Sequence, residues 1–263
     1  MMRRSIHSTR SVRIRLLGVL VLVSVTAAPL FAEDEMTLQQ VLDKHYEAMG
    51  GVEAWAAVNA IHQKGNMQMM GMEAPIEMWV KRPGKLRVEF TMQGMKGIQA
   101  IDGDSGWQVM PFMGSTEPEP MPDEMLDMMS TDVDVDGPLF DWKEKGHQVE
   151  LVGTEDIEGT PAYRIDVTME NGVEASIYLD AEHFVPISMK SKATFQGQQF
   201  DTTSTISDYK EVGGLMIAHS VSAESTMGVQ TITLAEVEIN PEVEDSFFAM
   251  PEKQPAPGDG PEG

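Results

Sequence analysis

The stretch Lys85–Met92 reads KLRVEFTM and alternates apolar and polar residues without a break. Its apolar positions, Leu86, Val88, Phe90 and Met92, all point to one side of a strand, and the residues between them point to the other. This period of two is typical of a sheet with one dry face and one solvated face. The chain offers few helices to cover the dry face, so an apolar ligand is a candidate occupant.

The same alternation recurs from Ile61 to Ile239 and predicts a mainly β chain. Short turns such as Pro83-Gly84 and Asn171-Gly172 join neighbouring strands, so the sheet should be antiparallel, with a two-residue hairpin at Asn171-Gly172. The last strand changes face near Leu234, which predicts a β-bulge. Later strands are expected at Gln148–Val152, Ala162–Met169, Val173–Leu179, Phe184–Met189, Thr203–Tyr209, Leu215–Ala223 and Thr231–Ile239.

Three helices are expected beside these strands. The first begins after Thr37, which forms a capping box with Gln40, and it ends at Gly50-Gly51. A second, short helix is expected at Val52–Asn59. The stretch Ser115–Pro122 interrupts the strand series with three prolines among glutamates. A third helix with an apolar face then follows Pro122, and it is either a lid over the dry face or an ordinary surface connection. The candidate lid residues are Met121, Met125, Leu126, Met128 and Met129.

The N-terminus has the three parts of a cleavable export signal. Five arginines precede an apolar core at Leu16–Val25, and small residues close the segment at Ala32. The alternative is a membrane anchor, but the apolar run Leu16–Phe31 spans 16 residues, which is short for a crossing. We therefore expect residues 1–32 to be a signal peptide and the mature chain to lie in the periplasm. Residues 33–250 are expected to form one domain, and residues 251–263 a disordered acidic tail.

Composition limits the classes of partner. The chain has no cysteine, so it has neither a disulfide nor a lipid-modified cysteine. Its net charge is −23, and removal of residues 1–32 leaves 14 basic and 42 acidic residues, a net charge of −28. Such a chain is repelled by phosphate backbones and by anionic head groups. Nucleic acid binding is thereby disfavoured, and any membrane contact should be transient.

Methionine is unusually abundant: 13 of the 22 methionines lie between Met67 and Met129. Because methionine is unbranched and polarizable, it lines surfaces that adapt to variable partners, but it also fills gaps in ordinary cores. Both interpretations stay open on the residues alone. The candidate cavity residues are Met67, Met69, Met78, Leu86, Val88, Phe90, Met92, Ile98 and Trp107.

Three motifs bear on possible chemistry. The tetrapeptide Gly103–Gly106 (GDSG) resembles a serine-protease nucleophile motif, but the histidine and aspartate context is missing, and an Asp-rich turn is favoured. Asp132, Asp134 and Asp136 match the start of an EF-hand loop, yet the twelfth position is Lys143 where a bidentate glutamate is required. The five histidines after residue 32 show no metal-ligand spacing. We therefore expect neither an enzyme nor a cofactor or metal.

Several segments together resemble the LolA-like family of outer-membrane lipoprotein-sorting proteins. These segments are His45–Gly51 (HYEAMGG) continuing to Trp55, Met78–Pro83 (MWVKRP), Gly106-Trp107 leading to Pro111-Phe112, Asp208-Tyr209 before Val212–Leu215, and Ile239–Pro241. The resemblance implies a half-open antiparallel β-barrel whose apolar concave face is covered by helices. It also implies a soluble periplasmic carrier of lipoprotein acyl chains, or of a related lipid, between an inner-membrane donor and an outer-membrane receptor.

The resemblance leaves two points open. The best-known carrier holds its lid through an arginine, and the candidates for that role here are Arg82, Arg87 and Arg164. Related proteins act instead as envelope sensors, so a regulatory binding protein is the alternative function.

Overall fold

A single antiparallel sheet of 13 strands dominates the structure. The structure is a computed structural model that describes residues 36–129, 132–195, 198–226 and 228–252, without the side chains of Met128 and of residues 193–200. The expected signal peptide, residues 1–32, lies outside the described residues. Of the expected tail, only Pro251 and Glu252 are described, and both lie outside helices and strands.

The strands follow one another along the chain with three helices among them. The first half contains β1 (Ala60–Met69), β2 (Met72–Lys81), β3 (Lys85–Met92), β4 (Met95–Asp102), β5 (Ser105–Met110) and β6 (Ser115–Pro120). The second half contains β7 (Gln148–Ile157), β8 (Thr160–Thr168), β9 (Glu174–Asp180), β10 (Pro186–Phe195), β11 (Gln198–Val212), β12 (Leu215–Ser225) and β13 (Gly228–Ile239). The helices are α1 (Leu38–Ala48), α2 (Val52–Ala56) and α3 (Asp123–Met129), and 3₁₀ turns lie at Pro111–Met113 and Asp245–Phe247.

The order across the sheet is β6-β5-β4-β3-β2-β1-β13-β12-β11-β10-β9-β8-β7. Each strand therefore pairs with its neighbour in sequence, and the one long connection joins β6 through α3 to β7. That connection leads to the far edge of the sheet, so the last strand, β13, pairs with the first, β1. In this order β6 and β7 are the two edge strands, and the sheet is an open antiparallel one, as the sequence predicted.

One face of the sheet carries α1 and α2 and is called here the inner face. Val41 and Leu42 of α1 are buried against Ile165 and Ile177 of the β8–β9 half of the sheet. In the middle of the sheet, α2 buries Trp55 against a second group of apolar side chains, Ile61, Leu215 and Ile217. The face on which α1 and α2 pack is therefore the dry face, and the outer face carries more polar side chains.

Both predicted boundary signals of the first helix are present. The Thr37 hydroxyl accepts from the backbone N–H of Gln40, and the Gln40 side chain accepts from the backbone N–H of Thr37, which completes the capping box. Gly50 and Gly51 follow with φ of 108° and 96°, a region that favours glycine, and they end the helix. The second helix is shorter than expected and ends at Ala56.

Two local features differ from the prediction. The proline-rich stretch forms a strand, β6, at the edge of the sheet, where Pro120 pairs with Trp107. An edge strand tolerates proline because half of its backbone groups need no partner in the sheet. The Asn171-Gly172 hairpin exists, but its turn is longer than two residues and is closed by a hydrogen bond from Met169 N–H to the Val173 carbonyl.

The predicted bulge in the last strand is present. Lys64 pairs with Glu236 and Gly65 pairs with Leu234, so the register skips Ala235. Gly65 is required there, because a Cβ at this position would lie 2.0 Å from the Thr233 carbonyl oxygen. The bulge returns Leu234 and Ile232 to the inner face beside Met67.

Candidate functional site

Seven of the nine predicted cavity residues lie together on the inner face. The register pairs Met67 with Ala74, Met78 with Val88, and Ile76 with Phe90, so side chains from three strands share one surface. These seven residues are Met67, Met69, Met78, Leu86, Val88, Phe90 and Met92. Three of them, Met67, Leu86 and Phe90, are buried, and the other four are half-buried.

Ile98 and Trp107 lie on the outer face, and their assignment to the cavity is corrected. Leu86 pairs with Ile101, so Ile98, three positions before Ile101, points to the opposite side. Ile101 pairs in turn with Gly106, which directs Trp107 outward as well. The sequence signal failed here because isolated apolar residues in a short strand do not define its register.

The register adds residues that the sequence did not single out. Ala74, Ile76 and Met110 are buried with Met67 and Phe90, and partly buried side chains pack around them: Met78, Val88, Phe112 and Ile232. Gly97 makes room for the pair of rings at Phe90 and Phe112, since a Cβ at Gly97 would lie 2.7 Å from Phe90 Cζ. This apolar patch extends over five strands and leaves part of its surface accessible.

Helix α3 lies over the inner face at β4 and β5. Met121 is buried, and its backbone N–H donates to the Gly106 carbonyl at 2.8 Å. The Gln99 amide on the inner face reaches Met125 Sδ at 3.7 Å. On its other side the helix lies against β10. Helix α3 therefore bridges two distant parts of the sheet, which is the position expected of a lid.

Gly106 sets how closely α3 approaches the sheet. A Cβ at this position would lie 3.1 Å from Leu126 Cδ1 and 3.2 Å from Met121 Cβ and Sδ. Leu126 and Met129 are partly buried, and the side chain of Met128 lies outside the described set. Of the five predicted lid residues, Met121, Met125 and Leu126 thus make described contacts with the inner face.

The segment between α3 and β7, residues 132–147, also enters the inner face and is called here the inner loop. Its Val135, Leu139 and Phe140 are buried, and they join the apolar groups beneath α1 and α2. The Phe140 ring lies 4.8 Å from the ring of Tyr46. The Tyr46 hydroxyl donates to the Leu139 carbonyl at 2.7 Å. The sequence pattern of this segment, with its alternating aspartates, carries no sign of this burial.

Ion pairs of Asp134 and Asp136 hold the inner loop. Lys145 Nζ lies 2.8 Å from a carboxylate oxygen of Asp134 and 2.6 Å from one of Asp136. Arg82 donates to Asp136 at 2.6 Å and to the Val58 carbonyl at 2.9 Å. Burial would raise the pKa of Asp136, but hydrogen bonds to Asp134, Lys145 and Arg82 outweigh it and hold that pKa below its usual range.

Two of the three aspartates of the EF-hand-like stretch, Asp134 and Asp136, thus pair with cations of the protein itself. The three candidate arginines also separate: Arg82 contacts the inner loop, while Arg164 pairs with Glu155 and Asp166. Arg87 lies on the outer face, 4.3 Å from the ring of Phe247.

His45 of α1 is buried beneath the inner loop. Its Nδ1 donates to the Phe184 carbonyl at 2.9 Å, and its ring lies 5.6 Å from the Phe140 ring. Burial lowers the pKa of His45 to about 4, although the hydrogen bond to Phe184 acts in the opposite direction. The imidazole is therefore neutral at neutral pH, and the burial of α1 depends on its staying so.

The outer face of β2–β5 carries an aromatic cluster that fixes the C-terminal segment. Trp107 Nε1 donates to the Phe248 carbonyl at 2.8 Å, and Phe248 is fully buried. Arg87 donates to the Phe247 carbonyl at 2.7 Å and lies 5.3 Å from the Trp107 ring. Trp107 is thus an anchor for the end of the chain rather than a wall of the inner face.

The remaining sequence motifs occupy ordinary positions. The Ser105 hydroxyl donates to the Asp102 carbonyl in the β4–β5 turn at 3.1 Å. Within the described ranges, no three acidic, histidine or cysteine side chains are grouped as a metal site requires. No helix in the described part of the chain is both long enough and apolar enough to cross a membrane.

Comparisons with known proteins identify the fold. No model of a known protein family matches this chain, and no curated protein matches it. Among solved structures, it is similar to a LolA superfamily protein from Nitrosomonas europaea, with 14% identity and a TM-score of 0.54 over 81% of this chain and 98% of that one. It is also similar to an outer membrane lipoprotein-sorting protein domain from Vibrio parahaemolyticus, with 13% identity and a TM-score of 0.53 over 79% and 95% of the two chains.

A third solved structure, a DUF1329 family protein from Desulfovibrio piger, has 11% identity and a TM-score of 0.53 over 79% of this chain and 97% of that one. The three similarities span nearly the whole of each solved chain, and together with the open 13-stranded sheet they agree on one architecture. The fold of this chain is therefore the open antiparallel barrel of LolA-like proteins, as the sequence motifs indicated.

Proposed function

We propose that this protein is a periplasmic carrier that binds the acyl chains of lipoproteins, or of a related lipid, against its inner face. The observation that carries the proposal is the apolar surface of the inner face, where the seven predicted side chains of β1–β3 share one face and four of them pack in one cluster with Ala74, Ile76 and Met110. The name of the Vibrio parahaemolyticus domain, lipoprotein sorting, supports a cargo of this class. Residues 33–250 would form the carrier, exported by a signal peptide at residues 1–32.

The chemistry of the patch suits a long hydrocarbon chain. Burial of an acyl chain contributes about 0.8 kcal/mol per CH₂ group, or roughly 10 kcal/mol for a long chain before ordering costs are subtracted. Methionine and valine walls bind such chains without fixing their length. Cargo release would then require an acceptor that offers a better apolar site. Such binding and release would serve the transfer of cargo from an inner-membrane donor to an outer-membrane receptor.

Competition binding tests the proposal directly. Protein purified from the envelope fraction of expressing cells is examined by native mass spectrometry for bound lipid, and then titrated with a fluorescent fatty acid. We expect a co-purified lipid or saturable fatty-acid binding that a lysophospholipid displaces. If the protein carries no bound lipid and also shows no displaceable fatty-acid binding, the proposal is contradicted.

A matched pair of variants locates the site. Val88 of β3 lies on the inner face, and Val109 of β5 lies on the outer face, as its pairing with Ile98 requires. Both side chains are partly buried. Val88→Asn should weaken fatty-acid binding about tenfold or more, since one polar group placed on the wall costs at least about 1.4 kcal/mol. Val109→Asn should leave binding unchanged. Equal effects of the two variants would place the ligand elsewhere.

A further inference from the structure

One end of the sheet carries a row of connections without charged residues. Four neighbouring hairpins turn at this end, namely β1–β2, β3–β4, β5–β6 and β12–β13. The register places them together, because Met69 pairs with both Met72 and Gln230, and Met92 pairs with Met95. We call this end the methionine rim and define it as residues 69–72, 92–95, 110–115, 225–226 and 228–229.

The rim exposes large apolar side chains. Met70 and Met113 are 73% and 78% exposed, Met72 is 40% exposed, and Val229 is 50% exposed. These four are more than half of the large hydrophobic residues that the described part of the chain exposes. Three separate connections supply them. The exposure therefore belongs to three neighbouring turns rather than to one irregular loop.

The turns of the rim carry no charged side chain: its 18 positions contain no Asp, Glu, Lys or Arg. The nearest charges are the exposed Glu73, Lys96 and Glu224, which lie next to the rim in sequence. The opposite ends of the same strands are charged: Arg82 and Lys85 flank the β2–β3 turn, and Asp102 and Asp104 flank the β4–β5 turn. Within this part of the sheet the four turns of the rim are thus uncharged and the β2–β3 and β4–β5 turns at the opposite end are charged, while Glu224, which pairs with Val229, and Glu170 in the β8–β9 turn mark where the uncharged region stops.

We propose that the methionine rim docks on the surface of a lipid bilayer by shallow insertion of its exposed side chains. A chain of net charge −23 is repelled by anionic head groups through most of its surface, and an uncharged end is where that repulsion is weakest. Flexible apolar side chains at the tips of separate turns can enter the disordered boundary between head groups and acyl chains, which needs no shaped partner surface.

The position of the rim relates the membrane contact to the proposed carrier function. Met67 and Phe90 of the inner patch lie directly behind it, on strands that end in the rim. Docking would therefore bring the edge of the apolar face to the membrane surface, where acyl chains enter or leave. This purpose rests on the proposed function, but the docking itself is a separate property and is tested separately.

Site-specific fluorescence is the sharpest test because the chain has no cysteine. Met113→Cys and, as matched control, Val152→Cys are labelled with a nitrobenzoxadiazole probe in protein purified from the envelope fraction. Val152 is 50% exposed but lies on edge strand β7, far along the sheet from the rim. Vesicles of phosphatidylcholine, alone or with phosphatidylglycerol, are then added. We expect a blue shift and increased emission at position 113 and no change at position 152.

Vesicle co-sedimentation gives the affinity. The double variant Met70→Gln/Met113→Gln should reduce the bound fraction at least about tenfold, because each inserted methionine contributes about as much as a partly buried core side chain. Fatty-acid binding in solution should be unchanged, since neither residue belongs to the inner patch. The control variant Val152→Gln should co-sediment like the unmodified protein.

The outcomes separate the two proposals. Vesicle binding without fatty-acid binding would support the rim and overturn the carrier function. Fatty-acid binding without a spectral change at position 113 would overturn the rim alone. Equal changes at positions 113 and 152 would also overturn it. A spectral change at position 113 that appears without vesicles as the protein concentration rises would overturn the rim proposal too. Such a change would show that the rim contacts a second copy of the protein.

Discussion

Acidification should lower the free energy of unfolding of this protein through one buried imidazole, that of His45. His45 holds α1 against the turn at Phe184 and beside Phe140 of the inner loop. Its pKa is lowered by burial from 6.5 to about 4, so folding favours the neutral ring. A base whose pKa is lower in the folded state stabilises that state above its unfolded pKa, and the contribution is lost as pH falls from 6.5 towards 4.

The size of the loss follows from the two pKa values. At 1.36 kcal/mol per pKa unit, the contribution of His45 to the free energy of unfolding falls by about 2 kcal/mol between pH 7 and pH 5. Near pH 4 the loss reaches about 3 kcal/mol. The side chain is only 3% exposed, so solvent screening reduces these values little. Such a loss is a large share of the stability of an ordinary domain.

Urea unfolding followed by tryptophan fluorescence measures the effect, since Trp55 packs beside Phe140 in the affected region. The comparison variant is His45→Asn, whose amide can replace the Nδ1 donor but does not titrate. Asp134 acts in the opposite direction, because burial raises its pKa to about 6 and acid therefore stabilises its folded form. The informative quantity is thus the difference between wild type and His45→Asn at each pH.

We expect that difference to shift by about 2 kcal/mol between pH 7 and pH 5 in favour of the variant. His147→Asn is the control for histidine replacement, and its shift should be much smaller because His147, near Lys145, is only partly buried. Parallel pH profiles for wild type and His45→Asn would refute the reasoning, since the buried ring would then not be the titrating group.

Three further perturbations address the lid, the inner loop and the C-terminal anchor. Gly106→Val should push α3 away from the sheet by crowding Leu126 and Met121. We expect faster hydrogen exchange in residues 123–129 and unchanged exchange in α1. Unchanged exchange in residues 123–129 would contradict the packing described for α3. Lys145→Met should lower the free energy of unfolding by about 1.5 to 3 kcal/mol in urea titrations, because it removes one of the two cationic partners of buried Asp136 and leaves Arg82 in place, and a loss below about 0.5 kcal/mol would show the pair to be solvated. Phe248→Ala should cost about 3 to 5 kcal/mol in the same assay and leave fatty-acid binding intact, whereas a selective loss of binding would place the C-terminal segment at the site.

The sequence predicted the sheet because its signal is local. Alternation within Lys85–Met92 requires only that one side of a strand be buried, and the bulge at Leu234 is visible as a change of phase along a single strand. The capping box at Thr37 is equally local, because residues 37–40 contain both of its hydrogen bonds. Features that depend only on residues close together in the chain can therefore be predicted from the amino-acid pattern.

Features that depend on register cannot be predicted in the same way. Ile98 and Trp107 are apolar and lie in strands of the right region, but only the pairing of Leu86 with Ile101 decides their face. Trp107 is needed on the outer face because its indole N–H and ring anchor Phe247 and Phe248, which lie more than a hundred residues away in sequence. A contact of that range leaves no periodic signal, so sequence patterns assign such a tryptophan to the nearest apolar surface.

The contrast between α3 and the inner loop indicates which of them moves. The inner loop is held by buried Phe140, by the hydrogen bond from Tyr46, and by the ion pairs of Asp136 with Lys145 and Arg82. Opening it would expose apolar surface and separate charges at the same time. Helix α3 has seven residues, and it meets the inner face through Leu126 beside Gly106 and through Met125, whose sulfur accepts from the Gln99 amide. Such side chains can repack on a hydrocarbon chain with little loss of contact energy. Under the proposed function, we therefore expect the inner loop to stay in place as the wall against which cargo would lie, and the opening step to occur at α3.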